Sequence, residues 1–386
     1  MKFLINGTDL KNTISRVSCV IPKKPALPML GSIRIQANAD GSVLFSTTDV
    51  DDFLTVVVKT KVEEPGAVWV LLSDVKKVLT VKDDVVVSAM DEIFTVKNGR
   101  KNHQVRCYEN NDVWCEPKKM KMKNVFTMSD KELVNKLSKI DCMREMYLNG
   151  DNILSGFYFD LRSEGDGRIV TCDRYRVGIS GGISQLALTE FIASEKLYAM
   201  MKAIVAKGDN PVVASINDKR NYLSLCGKDY IFITRLIEGQ YPDYRKFSEI
   251  NCSVEYILNS KELSKIFKEY KALIKEEKIP LVMHGFEEYL GVAIKTGDYR
   301  TCDIIEDIAV KKKPKDDGYY ACFNPQYLFE ASEMFNGTVW FLSDGSRKTP
   351  VVFACQNDRA IVLPVNTGGF IDSDPMVSYI REQILG

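Results

Sequence analysis

The sequence predicts an α+β protein of three tandem homologous domains, each built from two strand–helix half-repeats, with the helices gathered on one side of the sheets. Two observations carry this. The stretch FTMSDKELVNKLSKI (Phe126–Ile140) reads as an alternating strand, a helix cap and an amphipathic helix. The same columns recur around Leu10 and Leu263, 123 residues before and 130 residues after Leu133. A second strand–cap–helix unit follows each copy, as VWVLLSDVKKVL, EFIASEKLYAMM and YYACFNPQYLFEA. Its core positions Val75, Leu197 and Leu328 lie 65, 64 and 65 residues after the three anchors. Chance likeness between short amphipathic pieces would not hold that offset three times.

In the first copy Phe3 and Ile5 alternate along a strand, Asn6 caps, Asp9 follows three residues later, and Leu10, Ile14 and Val17 share one helix face. The second copy has Phe126 and Met128, Ser129 with Glu132, then Leu133, Leu137 and Ile140. The third has Tyr256 and Leu258, Asn259 with Glu262, then Leu263, Phe267 and Tyr270. A first domain is expected over residues 1–119, with a proline-bounded basic loop at Ile21–Pro25. Strands at Ser32–Gln36, Val43–Ser46 and Leu54–Lys59 precede a turn at Glu64-Pro65-Gly66, and EPKKMKMK (Glu116–Lys123) reads as a linker. The second domain, 124–247, has strands at Ile153–Leu161, Arg168–Gly178 and Asp229–Leu236, then an aromatic, basic turn region from Glu238 to Arg245. The third, 252–366, ends in a strand at Ala360–Val365. Residues 367–386 fall outside the repeat. Gly368-Gly369 is a joint, Asp374 can cap a helix with Pro375 at its first position, and Met376, Ile380 and Ile384 would share a face. A helix of about ten residues is marginal alone in water, so it must dock or fray.

At 386 residues, with 45% hydrophobic and 27% charged, the chain has the composition of an ordinary globular protein of several domains. No apolar run approaches the ~20 residues that span a bilayer, so no membrane partner is expected. MKFLINGTDL begins a repeat unit at once, which leaves no room for a signal peptide. The ten cysteines are scattered without a CxxC, which is neither a disulfide framework nor a zinc site. A reducing cytoplasm is the simplest compartment.

Catalytic signals are sparse. There is no Gly-rich dinucleotide fingerprint and no phosphate-binding GxxxxGK[ST] loop. His103 and His284 are the only histidines, and neither has a nucleophile or carboxylate motif beside it. Asp49, Asp51 and Asp52 crowd one turn, where a solvated acidic loop is the commoner outcome and a divalent ion the sharper one. No cofactor is implied. The basic residues say more. First-unit helices carry Lys11 and Arg16; Lys131, Lys136 and Lys139; Lys261, Lys265, Lys268 and Lys271. Second-unit helices carry Lys76 and Lys77, then Lys196 and Lys202, whereas the third copy has acids instead. Singly, each row is a solvated helix face. Together, on homologous helices of a chain whose formal net charge is zero, they form a basic surface suited to phosphate contacts without base reading. Three similar domains in a row also suggest an arc, which a symmetric dimer closes into a ring around a duplex.

Residues 1–366 resemble the bacterial replicative sliding clamp, the beta subunit of DNA polymerase III. The matching stretches are PALPMLG (Pro25–Gly31), STTDVD (Ser46–Asp51), EPG (Glu64–Gly66), VTCDRYRV (Val170–Val177), LIEGQYPDYR (Leu236–Arg245) and IVLPV (Ile361–Val365). The resemblance implies "DNA clamp" domains in a head-to-tail homodimer, with each chain forming half of a closed ring and helices lining the hole. It implies no catalysis, a cytoplasmic, nucleoid-associated location, and sequence-independent binding of double-stranded DNA. Its implied partners are the DNA polymerase III alpha subunit, the clamp loader and other proteins bearing a clamp-binding peptide. The peptide pocket, between the second and third domains, would comprise Leu154, Cys172, Arg174, Tyr175, Arg176, Val177, Pro242, Lys246, Phe247, Ile361, Leu363, Pro364 and Val365. DNA contacts would include Lys24 in the basic loop, with Lys11, Arg16, Lys76, Lys77, Lys136, Lys139, Lys196, Lys202, Lys265 and Lys268 on the helices. Ala272 and Leu273 would dimerise against the strand around Val105. Two departures stand out: Arg174-Tyr175 replaces the family's Gly-His pair, and Asn152-Ile153 replaces an aromatic pair that helps to grip DNA. Family chains usually stop near Thr367, so the tail helix either packs beside or into the pocket, where Gln383-Ile384-Leu385 faintly resembles a clamp-binding peptide, or, the commoner outcome, docks elsewhere or is disordered. The runner-up reading is a clamp-like scaffold that binds peptides without encircling DNA, and a third is a metal-dependent enzyme at Asp49–Asp52.

Overall fold

In the computed structural model the described residues are 1–79, 82–109, 120–146, 153–205, 208–274, 279–296, 299–305, 308–315, 318–365 and 373–385. Asn152, Gly368, Gly369, residues 116–119 of the expected linker and the side chain of Asp374 lie outside them.

All six strand–helix units are present. Strand Lys2–Asn6 runs into α1 (Gly7–Val17), Gly66–Leu71 into α2 (Leu72–Val78), and Met122–Ser129 into α3 (Asp130–Ile140). Strand Thr189–Ala193 precedes α4 (Leu197–Ile204), the short α5 (Arg245–Ser248) follows, Val254–Asn259 leads into α6 (Ser260–Leu273), and Tyr319–Phe323 into α7 (Pro325–Glu333). A final helix, α8, spans Ser373–Leu385. Local chemistry sets the starts. The Asn6 side chain accepts from Thr8 N–H, Asn259 from Lys261 N–H and Asn324 from Gln326 N–H, all near 3.0 Å. Ser129 Oγ accepts from Glu132 N–H at 3.1 Å. Each of these bonds satisfies a donor that the first helical turn would otherwise leave orphaned. The repeated apolar columns are the core: Leu10, Ile14, Leu133, Leu137, Ile140, Leu263 and Phe267 are at most 1% exposed.

The described chain divides into two compact units, one of residues 1–134 and 184–238, the other of 135–183 and 239–386. In the first, a five-stranded antiparallel sheet has the order Val62–Glu64, Lys2–Asn6, Asp84–Met90, Ile93–Asn98, Lys101–Arg106. An eight-stranded sheet runs from Met122–Ser129 through Pro211–Asn217, Tyr222–Cys226, Tyr230–Arg235, Asp52–Lys59, Ser42–Thr48 and Ser32–Ala37 to Gly66–Leu71. In the second unit one sheet includes Phe157–Leu161, Gly167–Cys172, Arg176–Ile183, Asp358–Val362, Val351–Cys355, Thr338–Ser343, Val254–Asn259 and Ile308–Lys312, in that order. A separate four-stranded sheet has the order Tyr299–Ile305, Tyr289–Thr296, Leu281–Phe286, Tyr319–Phe323.

Several sequence expectations change here. The strand expected at Arg168–Gly178 is two strands, Gly167–Cys172 and Arg176–Ile183, because Asp173 turns the chain. Its carboxylate accepts from the N–H groups of Tyr175 and Arg176, and Arg174 takes the left-handed conformation (φ 75°). Ile153 opens a 3-10 turn, Ile153–Ser155, rather than a strand. Of the readings of the tail, the structure takes the one that docks the helix elsewhere: α8 lies on one face of the four-stranded sheet, with Met376, Val377 and Ile380 buried and Leu385 72% exposed. No helix among the described residues is long and apolar enough to cross a membrane.

Candidate peptide pocket and nucleic-acid interface

Every residue expected in the peptide pocket falls in the second unit. Antiparallel pairing sets Cys172 opposite Val177 and Val177 opposite Ile361, so these three side chains form one row across adjacent strands. Leu363 N–H then bonds Tyr175 O at 2.9 Å, and Val365 N–H bonds Cys322 O at 2.7 Å, which fixes the chain Leu363–Val365 beyond the last strand. Leu154 sits in the 3-10 turn that packs on the strand Gly167–Cys172, with its carbonyl accepting from Glu145 N–H at 3.1 Å. Pro242, Lys246 and Phe247 come from the loop and short helix α5, which packs against the strand Asp358–Val362. Tyr241 stacks on Tyr158 at 4.6 Å, and Tyr244 and Arg245 both bond the buried Asp160 carboxylate, at 2.8 and 2.9 Å. Gly239 lies so close to Ile153 that a Cβ there would come within 2.6 Å of it.

Tyr175, Pro242, Phe247 and Val365 are the apolar residues left outward on this surface, all exposed. Cys172 is half-buried, and burial raises its thiol above the usual range, so it stays neutral. The Arg174 guanidinium reaches the buried Glu145 carboxylate at 3.2 Å. Arg176 is different in kind. It is 5% exposed, bonds the Asp173 carboxylate at 2.6 and 2.9 Å, reaches Cys142 O at 2.9 Å and bonds Glu330 of α7. It also lies 4.3 Å from the ring of Tyr327, on which Tyr175 stacks. Arg176 therefore braces the turn of Asp173, Arg174 and Tyr175 from beneath. Sequence reasoning missed its partners Tyr327, Glu330 and Asp173, although the acids replacing lysines in the third copy were the available signal.

The basic residues divide into two groups. Arg16 forms a bidentate pair with Asp229 at 2.6 and 2.9 Å and donates to Ile204 O. Lys139 pairs with Asp358 at 2.7 Å, Lys77 with Asp74 at 2.7 Å, and Lys136 donates to Gly181 O at 2.6 Å. Lys196 lies between Asp49 and Asp52, at 2.9 and 3.4 Å. An ammonium thus occupies the place where the third reading put a metal ion. Among the described residues no group of three or more His, Cys, Asp or Glu side chains could hold a metal. Lys11, Lys24, Lys76, Lys202, Lys265 and Lys268 are exposed, and Lys202 lies over Tyr198 at 5.6 Å. Leu273, at the end of α6, is 48% exposed beside the exposed Ala272, and Val105 is half-buried on the edge strand Lys101–Arg106.

A family model described as "DNA polymerase III beta subunit, N-terminal domain" matches residues 1–113. The beta sliding clamp of Escherichia coli K12 is 24% identical over 341 residues, covering 86% of this chain and 89% of that protein. The beta sliding clamp of Synechococcus elongatus is 23% identical over 371 residues, covering 92% and 95%. Among solved structures, the beta subunit of Streptococcus pyogenes DNA polymerase matches with a TM-score of 0.85 at 16% identity, covering 95% of this chain and 100% of that one. A Pseudomonas aeruginosa sliding clamp bound to griselimycin matches with a TM-score of 0.84 at 15% identity, covering 95% and 99%. With its six strand–helix units and these matches along most of its length, the chain is similar to bacterial DNA polymerase III beta sliding clamps, and its residues 1–113 match that family's N-terminal domain.

Proposed function

We propose that this protein is a sliding clamp: a non-catalytic processivity subunit that encircles duplex DNA and tethers a replicative polymerase. The observation that carries this reading is that the curated relatives, matched over 86% and 92% of this chain, are beta sliding clamps. The scaffold that binds peptides without encircling DNA is the less favoured reading for the same reason. Three tandem domains (1–119, 124–247 and 252–366), a homodimeric ring with helices facing the duplex, and a nucleoid-associated cytoplasmic location complete the proposal. The polymerase alpha subunit, the clamp loader and other motif-bearing proteins would enter by short peptides at the surface of Tyr175, Phe247 and Val365. Apolar walls of this kind suit a peptide's aliphatic and aromatic anchors.

Edge-strand chemistry supports the dimer. Lys101–Arg106 ends the order of one sheet and Tyr299–Ile305 that of another. Sheet edges are templates for strand addition from a second chain. Helix α6, which carries Ala272 and Leu273, packs against the strand Tyr299–Ile305.

The decisive experiment loads the protein onto nicked circular DNA with a clamp loader and ATP, then linearises the DNA. Retention on the circle and loss from the linear form is the expected result; equal retention on both would overturn encirclement. Contact with the duplex should follow the exposed lysines rather than the paired ones. Replacing Lys265 and Lys268 by alanine should lower the slope of log affinity against log salt by about 1 per lysine that meets a phosphate. Replacing Lys139, already paired with Asp358, should leave that slope unchanged.

A further inference from the structure

Helix α8 lies outside the repeat, yet its seat is specific. Met376, Val377 and Ile380 are buried against Val282, Ala293, Tyr320 and Cys322, with Cys302, Ile304, Tyr379 and Ile384 packed at the margin. Ile380 fits over Gly291, where any Cβ would come within 2.3 Å of the Ile380 side chain. Arg381 Nε donates to His284 Nε2 at 3.1 Å, and its guanidinium lies 4.9 Å from the Phe286 ring. These contacts reach all four strands of the sheet, including Tyr299–Ile305, whose outer side has no neighbour in the sheet order among the described residues. Cys302 and Ile304 of that edge strand meet α8. Thr301 and Asp303, on the alternate face, lie beside the Tyr270 hydroxyl of α6.

We propose that α8 is the outer wall of a self-association surface: it fixes the edge strand Tyr299–Ile305 for pairing with a strand of a second copy of this chain. This rests on the dimer reading above and adds to it that docking of the tail sets the dimer's affinity. An edge strand held on both faces has little freedom left to lose on pairing. Without α8, Cys302 and Ile304 face solvent and the strand is ordered at the moment of association, which weakens binding.

The test is a dilution series, by light scattering and sedimentation equilibrium, of the full chain and of its Ile380→Ala and Gly291→Leu variants. The first removes the side chain seated over Gly291, and the second fills the seat. Each should raise the dimer dissociation constant by about tenfold or more, while amide exchange shows the other sheets still protected. Variants that dimerise as tightly as the full chain would overturn the role of α8 and leave the dimer intact. A full chain that stays monomeric throughout would overturn the dimer itself. Should a variant lose its fold, amide exchange in the unaltered chain decides. Shared opening of α8 and Tyr299–Ile305 supports the wall, and independent opening overturns it.

Discussion

Replacing Arg176 by methionine is expected to destabilise the protein by about 3–5 kcal/mol, the usual consequence of removing one partner from a buried ion pair. The guanidinium is 5% exposed, and it is what neutralises Asp173 and Glu330, whose side chains are themselves only 11% and 23% exposed. Methionine fills similar volume but leaves both carboxylates without a positive partner, Asp173 keeping only its backbone N–H donors and Glu330 the Gln326 amide, and it removes the guanidinium donor to the Cys142 carbonyl. A loss of this size lowers the melting midpoint by on the order of 10 °C. Arg176→Lys should recover only part of it, because a point charge cannot serve Asp173, Glu330 and Cys142 O from one fork. The effect extends to binding. Asp173 also holds the N–H groups of Tyr175 and Arg176, so releasing it loosens the turn that presents Tyr175. Peptide affinity should fall by about tenfold or more even at temperatures where the variant is folded. A melting midpoint within ~2 °C of the parent would show that the cluster is solvated and that Arg176 is not the support assigned to it.

That cluster also marks where sequence reading stops. The six strand–helix units were legible because their signals are local: apolar residues at helical spacing follow a strand within one stretch of chain, and four of the six helices open on a capping Asn or Ser. Ion pairing is not local. Arg16 looks like any solvated basic residue until the fold brings up Asp229, 213 positions away. Lys139 meets Asp358 across 219 positions, and Arg176 meets Glu330 across 154. A row of lysines on a helix therefore overstated the free positive charge, and only the structure separates Lys265 and Lys268 from Lys139 and Lys196. The row of Cys172, Val177 and Ile361 was legible only through resemblance, since cross-strand register is not written in any one segment.

Two further misses have different causes, one local and one not. The run from Arg168 to Gly178 keeps an alternating, strand-like composition across Asp173, Arg174 and Tyr175, so periodicity alone joins what the Asp173 carboxylate divides. For the tail, the face of Met376, Ile380 and Ile384 was readable, but its seat was not. The face that receives it is assembled from Val282, Ala293, Tyr320 and Cys322 on separate strands, with Gly291 as the notch. A glycine in a strand is a weak signal of close approach until the approaching side chain is known.

The seat of α8 should also make stability depend on pH. His284 is fully buried. Its Nδ1 lies 2.9 Å from Tyr319 O, a carbonyl that can only accept, so Nδ1 carries the proton and Nε2 offers its lone pair to Arg381 Nε–H. Protonating Nε2 would remove that acceptor and set two cations together in a buried site. Burial, with the Arg381 charge adding to it, lowers the imidazole from its ordinary 6.5 to about 4. The unfolded chain therefore binds a proton at His284 before the folded chain does. The stabilising preference for the neutral ring is complete above about pH 6.5, is lost progressively as the pH falls, and is gone below about 4. The shift corresponds to about 3 kcal/mol. Carboxylates titrate in the lower part of the same window, so the measurement is a difference: urea unfolding from pH 7.5 to 4.5 for the parent and for His284→Gln, whose amide can still accept from Arg381 but does not titrate. The parent should lose stability more steeply than the variant between pH 6.5 and 4.5, with amide exchange of α8 rising first. Parallel curves would mean that the ring protonates without penalty and that the bond to Arg381 does not hold the helix in place.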